Sequence, residues 1–292
     1  MQIRKAERKK AKLRLGIAAP SGAGKTYSAL LLAFGLGGKV GLIDTEHGSG
    51  DLYAHLGDYD IISVEAPYTV AKYTEAIKAF EAAGYSTIII DSLTHAWAGD
   101  GGLLDKQGKM ADRGTNSFAA WRTITPEHNN LVDSMLRSPC HIIATMRAKQ
   151  EYVLETNDKG KQQPKKVGMA PVQREGMEYE FTVMLDVDMN HIASASKDRT
   201  SLFDGRFFKI TPGTGKELLA WLDNGTEPPK VDESTLADHM AAIESANDLD
   251  GLKSAFTAAY NKAQELKDPH AMALFTDAKD AMKAKLTQPE AA

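Results

Sequence analysis

The densest chemistry in the chain lies in Ala19-Pro20-Ser21-Gly22-Ala23-Gly24-Lys25-Thr26. Two closely spaced glycines followed by a lysine and a hydroxyl form the pattern of a phosphate loop. In such a loop, backbone N–H groups and a helix N-terminus converge on anionic oxygens. Gly22 and Gly24 let the main chain wrap the phosphates without Cβ clashes. Lys25 is placed to neutralise the β and γ phosphates, and Thr26 to offer a hydroxyl to Mg²⁺. Ser21, Ala23 and Tyr27 complete the segment expected to touch the nucleotide, with ATP and Mg²⁺ as the ligands. Ala19 stands where such loops usually begin with glycine.

Two acidic positions fit the same site. Asp91 ends the apolar run Thr87-Ile-Ile-Ile, and an acid at a strand's carboxyl end holds the water shell of Mg²⁺. Glu46, in Asp44-Thr45-Glu46-His47, lies two residues past another apolar run, where a carboxylate can orient and deprotonate an attacking water. The charges of Ser196-Lys197-Asp198-Arg199 read, on their own, as decorating a surface hairpin. The eight histidines are scattered without an H-E-x-x-H pattern, and Cys140 is the single cysteine. A disulfide framework within the chain and a Cys/His zinc site are therefore excluded, and a reducing, cytoplasmic setting is expected.

The elements that must position these residues follow from hydrophobic patterning. Leu13–Ala19, Lys39–Asp44, Thr87–Asp91 and Cys140–Thr145 are short apolar runs of the kind buried on both faces of a parallel sheet. Thr26 onward is a run of helix formers. Val70, Tyr73, Ile77 and Phe80 fall at helical spacing, and Gly84 ends that helix. Alternating strands and helices predict an α/β fold with a mostly parallel central sheet. Residues 98–117, with five glycines and no periodicity, are expected to form a mobile loop, and 157–173 a second, basic one. Pro126 is expected to open a helix running to about Arg137. Further strands are predicted at Phe181–Val187, His191–Ser194 and Phe207–Ile210.

At 292 residues, with 42% hydrophobic and 25% charged residues, the chain suits one large soluble domain with an accessory piece. No apolar stretch has spanning length. Charge is uneven: residues 225–292 hold 12 acids and 7 bases, leaving the remainder close to neutral. Arg4, Lys5, Arg8, Lys9, Lys10, Lys12 and Arg14 face only Glu7. Together they make a basic arm that either engages phosphates or is solvated. The expected organisation is an arm at 1–14, an ATPase core at 15–224, a Pro-Pro linker at 225–231 and a helical module at 232–292. Three helices are expected in that module: Leu236, Met240 and Ile243 on the first; Leu252, Phe256 and Tyr260 on the second; Leu274, Ala278 and Met282 on the third. Asp268-Pro269 is expected to cap the third.

Around the phosphate loop and Asp44-Thr45-Glu46-His47, the sequence resembles the RecA/RadA recombinase superfamily. The longer string adds Ala144-Thr-Met-Arg-Ala-Lys149 and Glu178-Tyr-Glu-Phe and spans about residues 3–215. It resembles phage-encoded RecA-like ATPases associated with single-strand annealing. The resemblance implies a RecA-like core with Glu46 as the base. It puts Asp51 and Tyr53 near adenine, Thr145 as a γ-phosphate sensor, and Lys197 and Arg199 as residues inserted into a neighbour's ATP site. Self-association into a ring or filament, single-stranded DNA and, through the helical tail, a single-strand-binding protein are the implied partners, with the host cytoplasm as the setting. Charge nominates Lys106, Lys109, Arg113, Lys159, Lys161, Lys165, Lys166 and Arg174 for the DNA. Arg147 and Lys149 fit either the site or a solvated basic face. An ATP-switched loader of replication proteins and a hexameric helicase motor are the competing functions.

Overall fold

The four apolar runs form the middle of one sheet. In the computed structural model, which describes residues 5–156, 162–226, 230–266 and 268–287 (backbone alone at 150–156, 162–168 and 269), they are β1 (Arg14–Ala19), β2 (Val40–Asp44), β4 (Thr87–Asp91) and the start of β5 (His141–Thr156). With β3 (Asp60–Ser63), β6 (Gln162–Pro171), β7 (Val183–Val187) and β8 (Ala193–Asp198), the order is β3-β2-β4-β5-β1-β7-β8. The pairings from β3 to β7 are parallel, β8 is antiparallel to β7, and β6 pairs with β5 alone.

Side-chain alternation explains why the central strands read as unbroken apolar runs. Ile88, Ile90, Ile142 and Ala144 enter one core cluster, while Ile89 and Ile143 enter the other. The first cluster is covered by α2 (Val70–Ala82), α3 (Leu93–Ala98), α4 (Leu103–Asp112) and α5 (Ser117–Arg137), the second by α1 (Lys25–Leu36) and α6 (Pro212–Asp223). Both faces must therefore be apolar at successive positions. α1 and α6 approach closely because Gly35 and Gly215 carry no side chain: a Cβ on Gly35 would lie 2.1 Å from the Pro212 carbonyl oxygen.

Several local expectations are corrected by tertiary packing. Residues 103–112, expected in a loop, form α4. Leu103 is buried there, and the helix-forming run Leu-Leu-Asp-Lys-Gln outweighs the ~1 kcal/mol cost of Gly108. α5 begins at Ser117, nine residues before Pro126. Asn116 caps it by accepting from the Phe118 N–H at 2.9 Å. The apolar face on both sides of Pro126, from Ala120 and Ile124 to Leu131 and Met135, holds the helix through the proline. The expected basic loop contains β6, paired with β5 from Ala148↔Pro171 to Thr156↔Gln162. The expected strand at 191–194 starts at Ala193 and reaches Asp198, whereas 207–210 contributes only an isolated bridge, Phe208 to Ala193. Arg14 is not part of a solvated arm. It is buried in β1, donates to the carbonyls of Leu13, Leu136, Ser138 and Cys140, and burial lowers its pKa to about 10.

The chain divides into two compact units, Ala11–Asp223 and Met1–Lys10 with Asn224–Ala292. In the second, Lys9 bridges Thr226, and α7 (Glu233–Glu244), α8 (Leu249–Leu266) and α9 (Pro269–Thr287) enclose Ile243, Leu252, Ala259 and Phe275. Asp268 caps α9 by accepting from the His270 and Ala271 N–H groups. On α9 the buried aromatic is Phe275; the expected Leu274 lies outside the cluster, one position off the inward stripe. No described helix is long and apolar enough to cross a membrane.

Candidate nucleotide site

The carboxyl ends of β1, β2 and β4, with the point at Arg147 where β5 leaves β1, gather the predicted chemistry on one edge of the sheet, the usual ligand-binding edge of such folds. Gly22 and Gly24 hold φ values of 83° and 85°, a left-handed conformation that glycine adopts without strain. α1 starts at Lys25 with no side-chain cap and no acid in its first turn, so its N-terminal N–H groups and dipole are suited to an external anion. Lys25 Nζ donates to the Pro20 carbonyl at 3.2 Å, and burial lowers its pKa. Ala23 is buried, whereas Ser21 is exposed.

Asp91 is the hub of the site. Its Oδ2 accepts from the Thr26 hydroxyl and its Oδ1 from the Thr145 hydroxyl, each at 2.5 Å. Burial raises the Asp91 pKa, and the two hydroxyl donors partly counter it. This convergence of hard oxygen donors, between a strand end and the first turn of the phosphate-loop helix, fits Mg²⁺. The left-handed glycines and open helix terminus fit a polyphosphate. Thr26, Asp91 and Lys25 are the residues that would hold the pair.

Glu46 is held by Asp44 and Arg147. Asp44, buried at the end of β2, accepts from the Glu46 N–H at 2.6 Å and the Gly50 N–H at 3.1 Å, so its carboxylate shapes the turn that presents Glu46. Arg147 then grips the Glu46 carboxylate through Nε (3.1 Å) and Nη2 (2.6 Å). Burial pushes the Glu46 carboxyl up, but hydrogen bonds and charge from Arg147 override it. The net pKa is below the ordinary carboxylate value. A backbone bond from the Arg147 N–H to Thr94 Oγ1 at 2.9 Å anchors Arg147 to the opening turn of α3. An acid two residues before Glu46 and glycines soon after it were the available signs of the Asp44 turn. The Glu46–Arg147 pair spans 101 positions, beyond local pattern. His191 was also missed: its Nδ1 lies 3.1 Å from the Ala23 carbonyl oxygen across 168 positions.

The chain's own fold brings the remaining predicted residues together unevenly. Asp51 and Tyr53 lie in a 3₁₀ segment, Ser49–Leu56, and Tyr53 meets Tyr27 edge-on at 6.1 Å. Lys197 and Arg199 sit at the β8 edge and donate to carbonyls in the Met177–Glu180 turn, both of them to Tyr179. Lys106 pairs with Glu127, and Lys109 with Asp105 and Asp100, so their charge is offset within the chain. Arg113 is exposed at the end of α4, and Arg174 donates to Thr125 and lies over the Trp121 ring. Lys165 and Lys166 fall in β6. Lys159 and Lys161 lie outside the described residues, as do the side chains of Lys165 and Lys166.

A family model described as an AAA domain matches residues 11–219. The chain belongs to this AAA domain family. The match runs from the strand before the phosphate loop into α6 and takes in Lys25, Thr26, Glu46, Asp91 and Thr145. The site of this AAA domain is accordingly that of a nucleotide-binding P-loop ATPase. No curated protein matches the chain.

Proposed function

We propose that the chain is a Mg²⁺-dependent ATPase that acts on single-stranded DNA, in the annealing or pairing of strands during phage recombination, and that it does so as an oligomer. The observation that carries this is the Glu46 carboxylate, kept ionised by Arg147 and presented by the Asp44 turn on the sheet edge shared by the phosphate loop and Asp91. An ionised carboxylate there takes a proton from water and orients it towards the terminal phosphate. Arg147 takes one lone pair on each Glu46 oxygen, which leaves a second on each to accept from the water. Lys25 and the N–H groups of α1 hold negative charge as it builds. Mg²⁺ would supply neutralisation of the phosphate charge. Thr145 and Thr26 fix the Asp91 carboxylate that would hold it. The DNA assignment draws on Arg113, Arg174 and the β5–β6 hairpin, whose pairing with β1 stops at Arg147 while its own ladder continues for nine residues of β5. For self-association, Lys197 and Arg199 at the sheet edge are the candidates, with their carbonyl contacts exchanged for a neighbour's phosphates.

The test measures ATP turnover with and without single-stranded DNA while particle size is followed. Lys25→Ala is expected to abolish nucleotide binding. Glu46→Gln is expected to retain it and slow turnover by about 10²- to 10⁴-fold. Full turnover by Glu46→Gln removes the base assignment, and DNA that alters neither rate nor size removes the DNA role. The acidic helical tail, with 12 acids and 7 bases over residues 225–292, favours a second possibility, an ATP-switched loader that anchors replication proteins through it.

A further inference from the structure

Beside the start of the phosphate loop lies a cavity of about 360 Å³ that none of the roles above uses. It opens between the start of the phosphate loop, the root of the β5–β6 hairpin, and the turn joining β7 to β8. Three of its walls are large, exposed apolar side chains: Phe207 at 80% exposure, Met189 at 60% and Met169 at 42%. Ile192 and Val187 continue the apolar lining. Exposed apolar groups drawn from three separate segments around one concavity carry a cost in water that a ligand would relieve.

The polar lining is Ser194 and two acids: Asp188, whose Oδ1 accepts from the Asn190 and Ile192 N–H groups of its own turn, and Asp186. Asp186, half-buried on β7, bonds with Ser196, and burial raises its pKa. The combination of an aromatic ring, two polarisable thioethers and the Asp186 carboxyl group suits a flat heteroaromatic ring with an N–H donor at its edge. The volume suits a single such ring system and is small for a folded peptide element.

We propose that this cavity binds a nucleobase, with Phe207, Met189 and Met169 as the stacking walls and Asp186 as the acceptor for the base's amino group. Two sources share that chemistry, a base of a bound strand and the base of a free nucleotide; the strand version rests on the single-stranded DNA role proposed above. The turn that supplies Met189 and Ile192 also carries His191, which contacts Ala23 in the phosphate loop. A base in the cavity therefore touches the same turn that braces the nucleotide site. Adenine and cytosine offer an exocyclic amino group to Asp186, whereas thymine offers only its ring N3–H, flanked by two carbonyl oxygens that the carboxyl group repels.

The experiment uses the full chain with ATP and Mg²⁺. Fluorescence anisotropy follows labelled single strands of deoxycytidine, of thymidine and of abasic sugar-phosphate, all of one length. Deoxycytidine strands are expected to bind more tightly than thymidine strands, and abasic strands most weakly. Phe207→Ala and Met189→Ala, both at exposed positions, are each expected to weaken the deoxycytidine strand about tenfold and leave the abasic strand unchanged. Asp186→Asn is expected to narrow the gap between deoxycytidine and thymidine. A parallel titration with ATP distinguishes the sources: a loss confined to ATP assigns the cavity to the free nucleotide's base. Two results overturn the proposal. One is equal binding of abasic and base-bearing strands with ATP affinity unchanged in Phe207→Ala and Met189→Ala. The other is a loss that is the same for the abasic strand. Failure of the wild-type chain to bind any strand removes the DNA role itself, and the cavity then stands or falls on the ATP titration.

Discussion

Arg147 and Glu46 set the ionisation of the site between them. The carboxylate is partly desolvated, which favours its neutral form, and the two-point grip of the guanidinium reverses that preference. Arg147 gains in return: the hydrogen bond to Glu46 raises its own pKa above the ordinary guanidinium value. Removing Arg147 leaves desolvation as the dominant influence, so the Glu46 pKa is expected to rise from below its usual value. The base then remains protonated to higher pH. In Arg147→Ala the acid limb of the ATP turnover profile is therefore expected to move to higher pH, with activity at neutral pH reduced. Arg147→Lys, which keeps the charge and loses the fork, is expected to fall between the two. An acid limb that stays in place in Arg147→Ala would show that Glu46 does not limit turnover. Much of this site was legible because its residues lie in short contiguous motifs, Gly22 to Thr26, Asp44 to His47 and the acid ending β4. What was not legible came from pairs joined only by the fold, such as Glu46 with Arg147 and Ala23 with His191.

At the scale of elements, the same distinction separates the central strands from the segments around them. β1, β2, β4 and the start of β5 are buried on both faces, so composition alone identifies them. α4 and β6 lack that signal: α4 shows one buried residue, and β6 is a partner strand on a hairpin. Each is held by its neighbour, α5 or β5, which no local pattern reports. The seam between β1 and β5 is secured at its start by His141, whose Nδ1 accepts from the Leu13 N–H at 3.0 Å. That acceptor role requires a neutral ring, and burial depresses the His141 pKa to about 3, with Lys12 and Arg14 adding repulsion. The unfolded chain, with an ordinary histidine pKa near 6.5, binds a proton at this position that the folded chain refuses. Stability from this group is thus fully present above pH 6.5 and is lost as pH falls towards 3, at about 1.4 kcal/mol per pH unit. Urea unfolding between pH 7 and pH 5 is expected to show a shallower loss in His141→Gln, which keeps an acceptor that does not titrate. An identical pH dependence in the two proteins would remove His141 as a cause.

At the scale of the whole molecule, two units with separate cores imply separable roles. Ala11–Asp223 contains both sheet-facing clusters, the nucleotide site and the candidate nucleobase cavity, so each contact argued above for ATP lies within it. Within the other unit, Asn224–Ala292 encloses its own apolar cluster and holds 12 acids against 7 bases, while the first ten residues add five bases and one acid. Acidic surface repels a nucleic-acid backbone and favours a basic protein partner, and its attraction weakens as salt screens it. A chain restricted to residues 11–223 is therefore expected to fold, with a cooperative thermal transition, and to hydrolyse ATP within about threefold of the full chain, a change of less than ~1 kcal/mol in the barrier. Binding to a single-strand-binding protein, measured by calorimetry at low and high salt, is expected to be lost with the tail and, in the full chain, to weaken as salt rises. Loss of ATP turnover in a folded 11–223 chain would mean that the helical unit completes the site. The division into an ATPase core and a docking module would then have to be abandoned, even with Lys25, Glu46 and Asp91 in place.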